Sequence, residues 1–210
     1  MATIIPGILT DSLAEAQRQL DRLVGLVEWA QIDFMDGLFV PAQSITAEEA
    51  NTLMTDLKLE AHLMVRDPEA WATLLSPTLF RRVYFHVEAL ADPTELIRQL
   101  REAGFLIGCA VNLGTPLDRY REYVELVDNV LFMGVPSGAQ GQAFDPRVIE
   151  TIKAFILEFP DHQIGIDGGM TLQTIDQAAN AGVDDIIVGS AISHSDNVSE
   201  TIQALRSIIE

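Results

Sequence analysis

Eight times along the chain a short apolar run gives way to a longer stretch of helical period, and that alternation leaves few architectures open. The apolar runs fall at 4–9, 29–34, 58–64, 82–86, 106–111, 129–135, 163–167 and 185–189. The periodic stretches between them fall at 13–23, 47–55, 68–75, 93–102, 116–126, 146–158, 172–179 and 197–209. Strand–helix units repeated in this way build a parallel sheet. Pro68, Pro93, Pro116 and Pro146 sit where a first helical turn should begin, because a missing N–H costs nothing there. The residues before them, Asp67, Asp92, Thr115 and Asp145, can each accept an orphan backbone N–H. Gly104 and Gly182 stand where two helices should end in a left-handed cap.

Eight units of about 26 residues predict one (β/α)8 TIM barrel over residues 1–210. An open doubly wound sheet is the alternative, but the first strand runs through Leu9-Thr10-Asp11 into its helix with no glycine-rich dinucleotide turn. Apolar residues make up 48% of the chain, enough for a continuous core. The formal charge of −18, from 31 acidic and 13 basic side chains, repels nucleic acid and anionic membrane, so neither is expected as a partner. An anionic ligand would need backbone N–H donors, because the overall field opposes it. Lys58 and Lys153 are the only lysines, which argues against Schiff-base chemistry. The single cysteine, Cys109, lies in an apolar run and reads as a buried core thiol. No secretory signal pattern opens the chain, so a cytoplasmic protein is expected; exposed βα loops make a homo-oligomer the expected assembly.

The informative polar residues stand at strand ends. Asp33 and Asp36 close the second run, His62 lies near the end of the third, His86 ends the fourth and Asp167 ends the seventh. In a barrel these ends converge on one rim. Gln31 and Asp33 are two apart and share a face, with Trp29 in the same phase. Two inward polar groups in an apolar strand are costly unless they find partners. Asp167-Gly168-Gly169 and Gly189-Ser190 are turns whose small residues let backbone N–H groups approach a phosphate, and Gly138 and Gly141 can add further donors. The polar loop 135–144, with Ser137, Ala139 and Gln140, suits a lid.

The motifs Ile32-Asp33-Phe34-Met35-Asp36-Gly37-Leu38-Phe39-Val40-Pro41, His62-Leu63-Met64, His86-Val87-Glu88-Ala89, Asp167-Gly168-Gly169 and Gly189-Ser190-Ala191-Ile192 span the chain, and together they resemble the ribulose-phosphate 3-epimerase family. The resemblance implies a barrel of the ribulose-phosphate binding type and an isomerase of carbohydrate phosphates that interconverts ribulose 5-phosphate and xylulose 5-phosphate. It implies one divalent metal, zinc, iron, manganese or cobalt, and a small phosphorylated ketose as substrate. It further implies Asp33 and Asp167 as the acid/base pair and as metal ligands, with His62 as a third ligand. The family's fourth ligand is a histidine, and Gln31 stands in its place, a neutral oxygen donor that suits oxygen-liking metals if it coordinates. Gly7, Leu38 and Ala139 also depart from the family pattern.

The expected chemistry is removal of a proton from the carbon beside a ketone by one carboxylate and its return by the other to the opposite face, through a metal-stabilised enediolate. No lysine stands at a strand end to replace the metal's charge. Two alternatives stay open: a catalytically silent phosphosugar-binding or scaffold protein, and an epimerase of a ketohexose phosphate.

Overall fold

In the computed structural model, which describes residues 2–209, the alternation becomes eight parallel strands. They are β1 (Thr3–Ile8), β2 (Trp29–Met35), β3 (Lys58–Met64), β4 (Phe80–His86), β5 (Leu106–Val111), β6 (Asn129–Met133), β7 (Gln163–Asp167) and β8 (Asp185–Val188). Each pairs with its neighbour in sequence, and β8 returns to β1 with Thr3 opposite Asp185 and Pro6 opposite Val188, so the sheet closes. The ends of the expected domain, Met1 and Glu210, lie outside the described residues. Around the barrel run α1 (Leu13–Leu23), α2 (Ala47–Ala50), α3 (Pro68–Leu74), α4 (Thr94–Ala103), α5 (Arg147–Glu158), α6 (Ile175–Asn180), α7 (Ser190–Ser193) and α8 (Val198–Ile209). Their inner faces, Leu20, Leu100, Phe155 and Leu205 among them, are buried against the outward side chains of the strands, such as Ile32, Leu63 and Val83. Among the described residues no helix is long and apolar enough to cross a membrane.

The departures from expectation have local causes. Asp67 caps α3 through the Ala70 N–H at 3.0 Å with Pro68 at the first position, as the pattern predicts. Pro93 and Pro146 sit one place earlier, at the cap itself, and Asp92 and Asp145 instead accept the N–H two residues on, from Thr94 at 2.9 Å and Arg147 at 3.0 Å. Thr115 caps nothing: its hydroxyl donates to Glu88 Oε1 at 2.6 Å. The stretch after it forms two 3-10 turns, Leu117–Arg119 and Arg121–Leu126, parted at Tyr120, rather than one helix. α2 stops at Ala50 because the chain beyond it is tied to α1, with Gln17 bonding both the N–H and the carbonyl of Met54. α6 starts three residues late; the Thr174 hydroxyl donates to the Gly169 carbonyl and accepts the Thr171 N–H, competing with helical bonds. The short α7 was not anticipated.

Alternation along each strand puts a second, smaller core inside the barrel, where Ile5, Tyr84, Ala110, Leu131 and Ile187 make an apolar layer. Gly108 makes room for it, since a Cβ there would lie 2.0 Å from the Tyr84 ring. Two residues earlier on their strands, Arg82, Asn129 and Asp185 form a polar floor with Glu60. The polar groups beyond the layer, at the C-terminal strand ends, make up the candidate site.

Candidate active site

Parallel pairing of β2 with β3 sets Asp33 beside His62 as Cα partners, and Asp167 reaches the same point from β7 across the barrel. One ligand atom from each of the three lies within 4.8 Å of the others, so the group could hold a divalent metal ion. His62 Nδ1 is 3.1 Å from Asp33 Oδ1 and 3.3 Å from Asp167 Oδ2. Gln31 shares the inward face of Asp33. Its Nε2 donates to Asp33 Oδ1 at 2.8 Å and to Asp167 Oδ2 at 2.9 Å, and stands 3.4 Å from His62 Nδ1. The amide nitrogen therefore lies among the side chains of Asp33, His62 and Asp167, while its Oε1 is buried with no hydrogen-bond partner.

Burial raises the Asp33 carboxyl above the usual carboxylate range, and the charge of Asp167 adds to this against the hydrogen bond from His62. For His62 burial works against the charged ring, but hydrogen bonds to Asp167 and Asp33 prevail and raise it to about 9. The second ring nitrogen faces away from this cluster. His62 Nε2 is 3.0 Å from His86 Nε2, and His86 Nδ1 is 3.3 Å from Glu88 Oε2. Glu88 in turn accepts from the Asn112 N–H at 2.9 Å as well as from Thr115. Burial lowers the His86 ring, which favours its neutral form. With Glu88 as acceptor the His86 proton sits on Nδ1, so its Nε2 accepts from His62 Nε2–H. Nδ1 of His62 is then the atom turned to two carboxylates, a position that calls for a proton or a metal ion.

Above this cluster a cavity of about 110 Å³ opens to solvent. Asp33, Asp167, Ser137, Gly138, Ala139, Gln140, Gly141, Gly168, Gly169, Gly189 and Ser190, all singled out from the sequence, line it. Gln31 and His62 are fully buried beneath. Gly168 and Gly169 have φ of 106° and 73°, and a Cβ on Gly169 would lie 2.6 Å from the Phe144 Cα, so only glycine permits this approach. The loop is tied down: Ser137 Oγ donates to Asn112 Oδ1 at 2.6 Å and Gln140 Nε2 donates to the Gly7 carbonyl at 3.2 Å. Asp36 turns elsewhere and accepts the N–H groups of Leu38, Phe39 and Arg66, which fixes the loop after β2. Sequence reasoning missed the link from His62 through His86 to Glu88, and it missed Met35, Met64 and Met133 in the cavity wall. Strand phase was the available signal, since Met35 and Met64 each follow a cluster residue by two.

Comparison with known proteins agrees with this geometry. Residues 3–193 match the model of the ribulose-phosphate 3 epimerase family. The chain is 31% identical to a ribulose-phosphate 3-epimerase of Schizosaccharomyces pombe, over 99% of this chain and 94% of that protein. It is 35% identical to one from Mycobacterium bovis, over 97% of this chain and 91% of that protein. Among solved structures, 3-hexulose-6-phosphate synthase from Salmonella typhimurium superposes with a TM-score of 0.76 at 18% identity, covering 99% of this chain and 98% of the other, a likeness of fold. On the match over most of its length, the chain belongs to the ribulose-phosphate 3-epimerase family.

Proposed function

We propose that residues 1–210 form one catalytic domain that inverts carbon 3 of a ketose phosphate, with ribulose 5-phosphate as the first candidate substrate. The observation that carries the reading is the meeting of Asp33 and Asp167, from separate walls of one cavity, at the ring of His62. Inversion needs one group to take the carbon-bound proton and another to give one back on the opposite face. Asp33, raised by burial, is suited to begin with the proton, and Asp167 then takes the substrate's. In the reverse direction the two exchange roles.

The donor set fits a divalent metal: one imidazole nitrogen, two carboxylates and the orphaned amide oxygen of Gln31. Asp33, His62 and Asp167 would hold the ion, and of zinc, iron, manganese and cobalt this oxygen-rich set favours the harder ones. When bound, such an ion supplies Lewis-acid stabilisation of the charge that develops on the substrate oxygens as the enediolate forms. Backbone N–H groups at Gly168, Gly169, Gly189 and Ser190, with Gly138 and Gly141 above, would hold the phosphate. Ser137, Ala139 and Gln140 would cover the bound sugar.

The test is proton exchange at carbon 3 of ribulose 5-phosphate in heavy water, followed with each of the four metals. Exchange is expected with at least one. No exchange with any metal, on pentulose or hexulose phosphates, overturns the reading in favour of a phosphosugar-binding protein without catalysis.

A further inference from the structure

The hydrogen bonds of Gln31 are one-sided. Its Nε2 bonds both carboxylates, yet its Oε1, equally buried, has no donor. Its Cα partner on β3 is Glu60, whose side chain also points into the barrel, is fully buried and has no hydrogen-bond partner on either carboxylate oxygen. Arg82 Nε, 3.4 Å from Glu60 Oε2, is itself without a hydrogen-bond partner. The amide thus spends both donors on the carboxylates and leaves its acceptor unused, while the next strand sets a buried carboxylate without a hydrogen-bond donor at the paired Cα position. Buried polar groups without partners are rare in native proteins and call for an explanation.

An amide N–H cannot face a cation, whereas an amide oxygen can coordinate one. Half a turn about the last side-chain bond of Gln31 exchanges Oε1 and Nε2. It would bring the oxygen to Asp33, His62 and Asp167 and put the NH2 where Oε1 lies without a partner, with Glu60, its Cα partner on β3, as the carboxylate in need of a donor. We propose that Gln31 is a two-position amide: NH2 toward the carboxylates when the cluster is empty, and Oε1 toward a bound divalent cation with NH2 turned to Glu60. Glu60 is then a positioning residue for the cation site. It does not touch the ion and acts by accepting the rotated amide. This rests on the reading that Asp33, His62 and Asp167 hold a metal, and it extends that reading to the two residues that adapt the cluster to it.

The experiment uses the full chain stripped of metal by chelator and titrated with zinc chloride, read by calorimetry and by the side-chain 15N–1H signals of Gln31, which are identified by their loss in Gln31→Leu. Zinc is expected to shift the Gln31 NH2 pair, because its carboxylate partners are exchanged for Glu60. Gln31→Leu should weaken zinc binding about 10- to 100-fold, and Glu60→Met about tenfold, the range of losses when groups supporting a metal ligand are removed. Glu60→Gln keeps an acceptor oxygen and should stay within about twofold of the parent chain. In the Gln31→Leu background Glu60→Met should add no more than about twofold, because there is no amide left to hold. Three results overturn the proposal while leaving the metal reading intact: zinc affinity unchanged in Gln31→Leu, a Glu60→Met loss of equal size in both backgrounds, or a Gln31 NH2 pair that stays in place on zinc addition. The NMR result needs no variant to fold beyond assignment. Absence of zinc binding overturns the metal reading along with it, and failure of carbon-3 exchange despite Gln31-dependent binding overturns the proposed activity alone.

Discussion

Two polar layers lie inside the same barrel, parted by the apolar layer around Leu131 and Ile187 except at β2 and β3, where Glu60 of the floor is the Cα partner of Gln31, and they neutralise their carboxylates by different means. The floor carries its own cation. Arg82 donates to Asp185 Oδ2 and to the Tyr84 hydroxyl, both at 2.6 Å, and its guanidinium lies 4.8 Å from the Trp29 ring centre. Asn129 Nδ2 adds a longer bond of 3.3 Å to the same carboxylate oxygen. The upper layer sets two carboxylates against only an imidazole and an amide, with no lysine or arginine in its hydrogen-bonding shell. A guanidinium on a packed strand is fixed for the life of the fold, while an ion at the cavity can come and go. The difference matches the division of a barrel into an end that stabilises and an end that reacts.

The largest expected effect separates the two layers by chemistry. Asp33→Asn and Asp167→Asn should each lower carbon-3 exchange by about 10²- to 10⁴-fold, the usual worth of a positioned acid or base, while the chain still folds. Exchange retained in both variants would remove these carboxylates from the reaction. The converse substitution in the floor, Arg82→Met, leaves Asp185 and Glu60 buried without their cation and should cost about 3–5 kcal/mol in urea unfolding. Zinc affinity should change little in that variant. A large parallel loss of zinc binding would mean that the Arg82 cation, and not only the acceptor oxygen of Glu60, supports the site, and the comparison would be false.

How far this was legible in the sequence follows the same division. Strand phase and strand ends were enough to bring Asp33, His62 and Asp167 to one rim, because inward polar residues at the ends of apolar runs have few other uses. The closed barrel followed from counting units, and the buried Cys109 from its apolar run, where burial raises the thiol to about 12. The floor was not legible. Arg82 and Asp185 open the apolar runs 82–86 and 185–189, and nothing in those runs pairs them; their contact spans 103 residues and depends on barrel closure. Gln31 was legible as a replaced ligand, but which end of its amide meets the carboxylates is decided by a side-chain rotation that no residue pattern encodes. The 3-10 turns after Pro116 escaped for a similar reason, since the hydroxyl expected to cap a helix there is held by Glu88 in the turn after β4.

Titration sharpens the comparison, because Glu60 in the floor and His62 above it lose stability in different pH windows. Burial, opposed by the Arg82 charge, raises Glu60 from 4.5 to about 7. The folded chain therefore holds this proton more tightly than the unfolded one, and stability falls as pH rises from 4.5 through 7. The size of that loss is on the order of 3 kcal/mol. His62 has its folded value raised from 6.5 to about 9, so its contribution is full below 6.5 and is lost as pH rises through 9. In metal-free protein Glu60→Gln should remove Glu60's share of the first slope, to which raised Asp33 also contributes, and leave the second. A variant that flattened both would tie the floor to the site.

Metal addition should give the smallest effect and the sharpest division. Asp33, His62 and Asp167 are far apart in the chain and meet only when the barrel closes, so the unfolded state offers an ion no comparable site. An ion that binds the folded state alone stabilises it by about 2.7 kcal/mol at a hundredfold excess over its dissociation constant. Zinc at that ratio should raise the urea midpoint of the parent chain and remove the high-pH loss due to His62, because the ion takes the place of the proton on Nδ1. Asp167→Asn should forfeit this gain at the same zinc concentration. Arg82→Met should keep it in full on a lower baseline, because the charge it has lost is below the apolar layer, where zinc does not go. A gain that vanished in the floor variant and survived in Asp167→Asn would reverse the roles assigned to the two ends of the barrel.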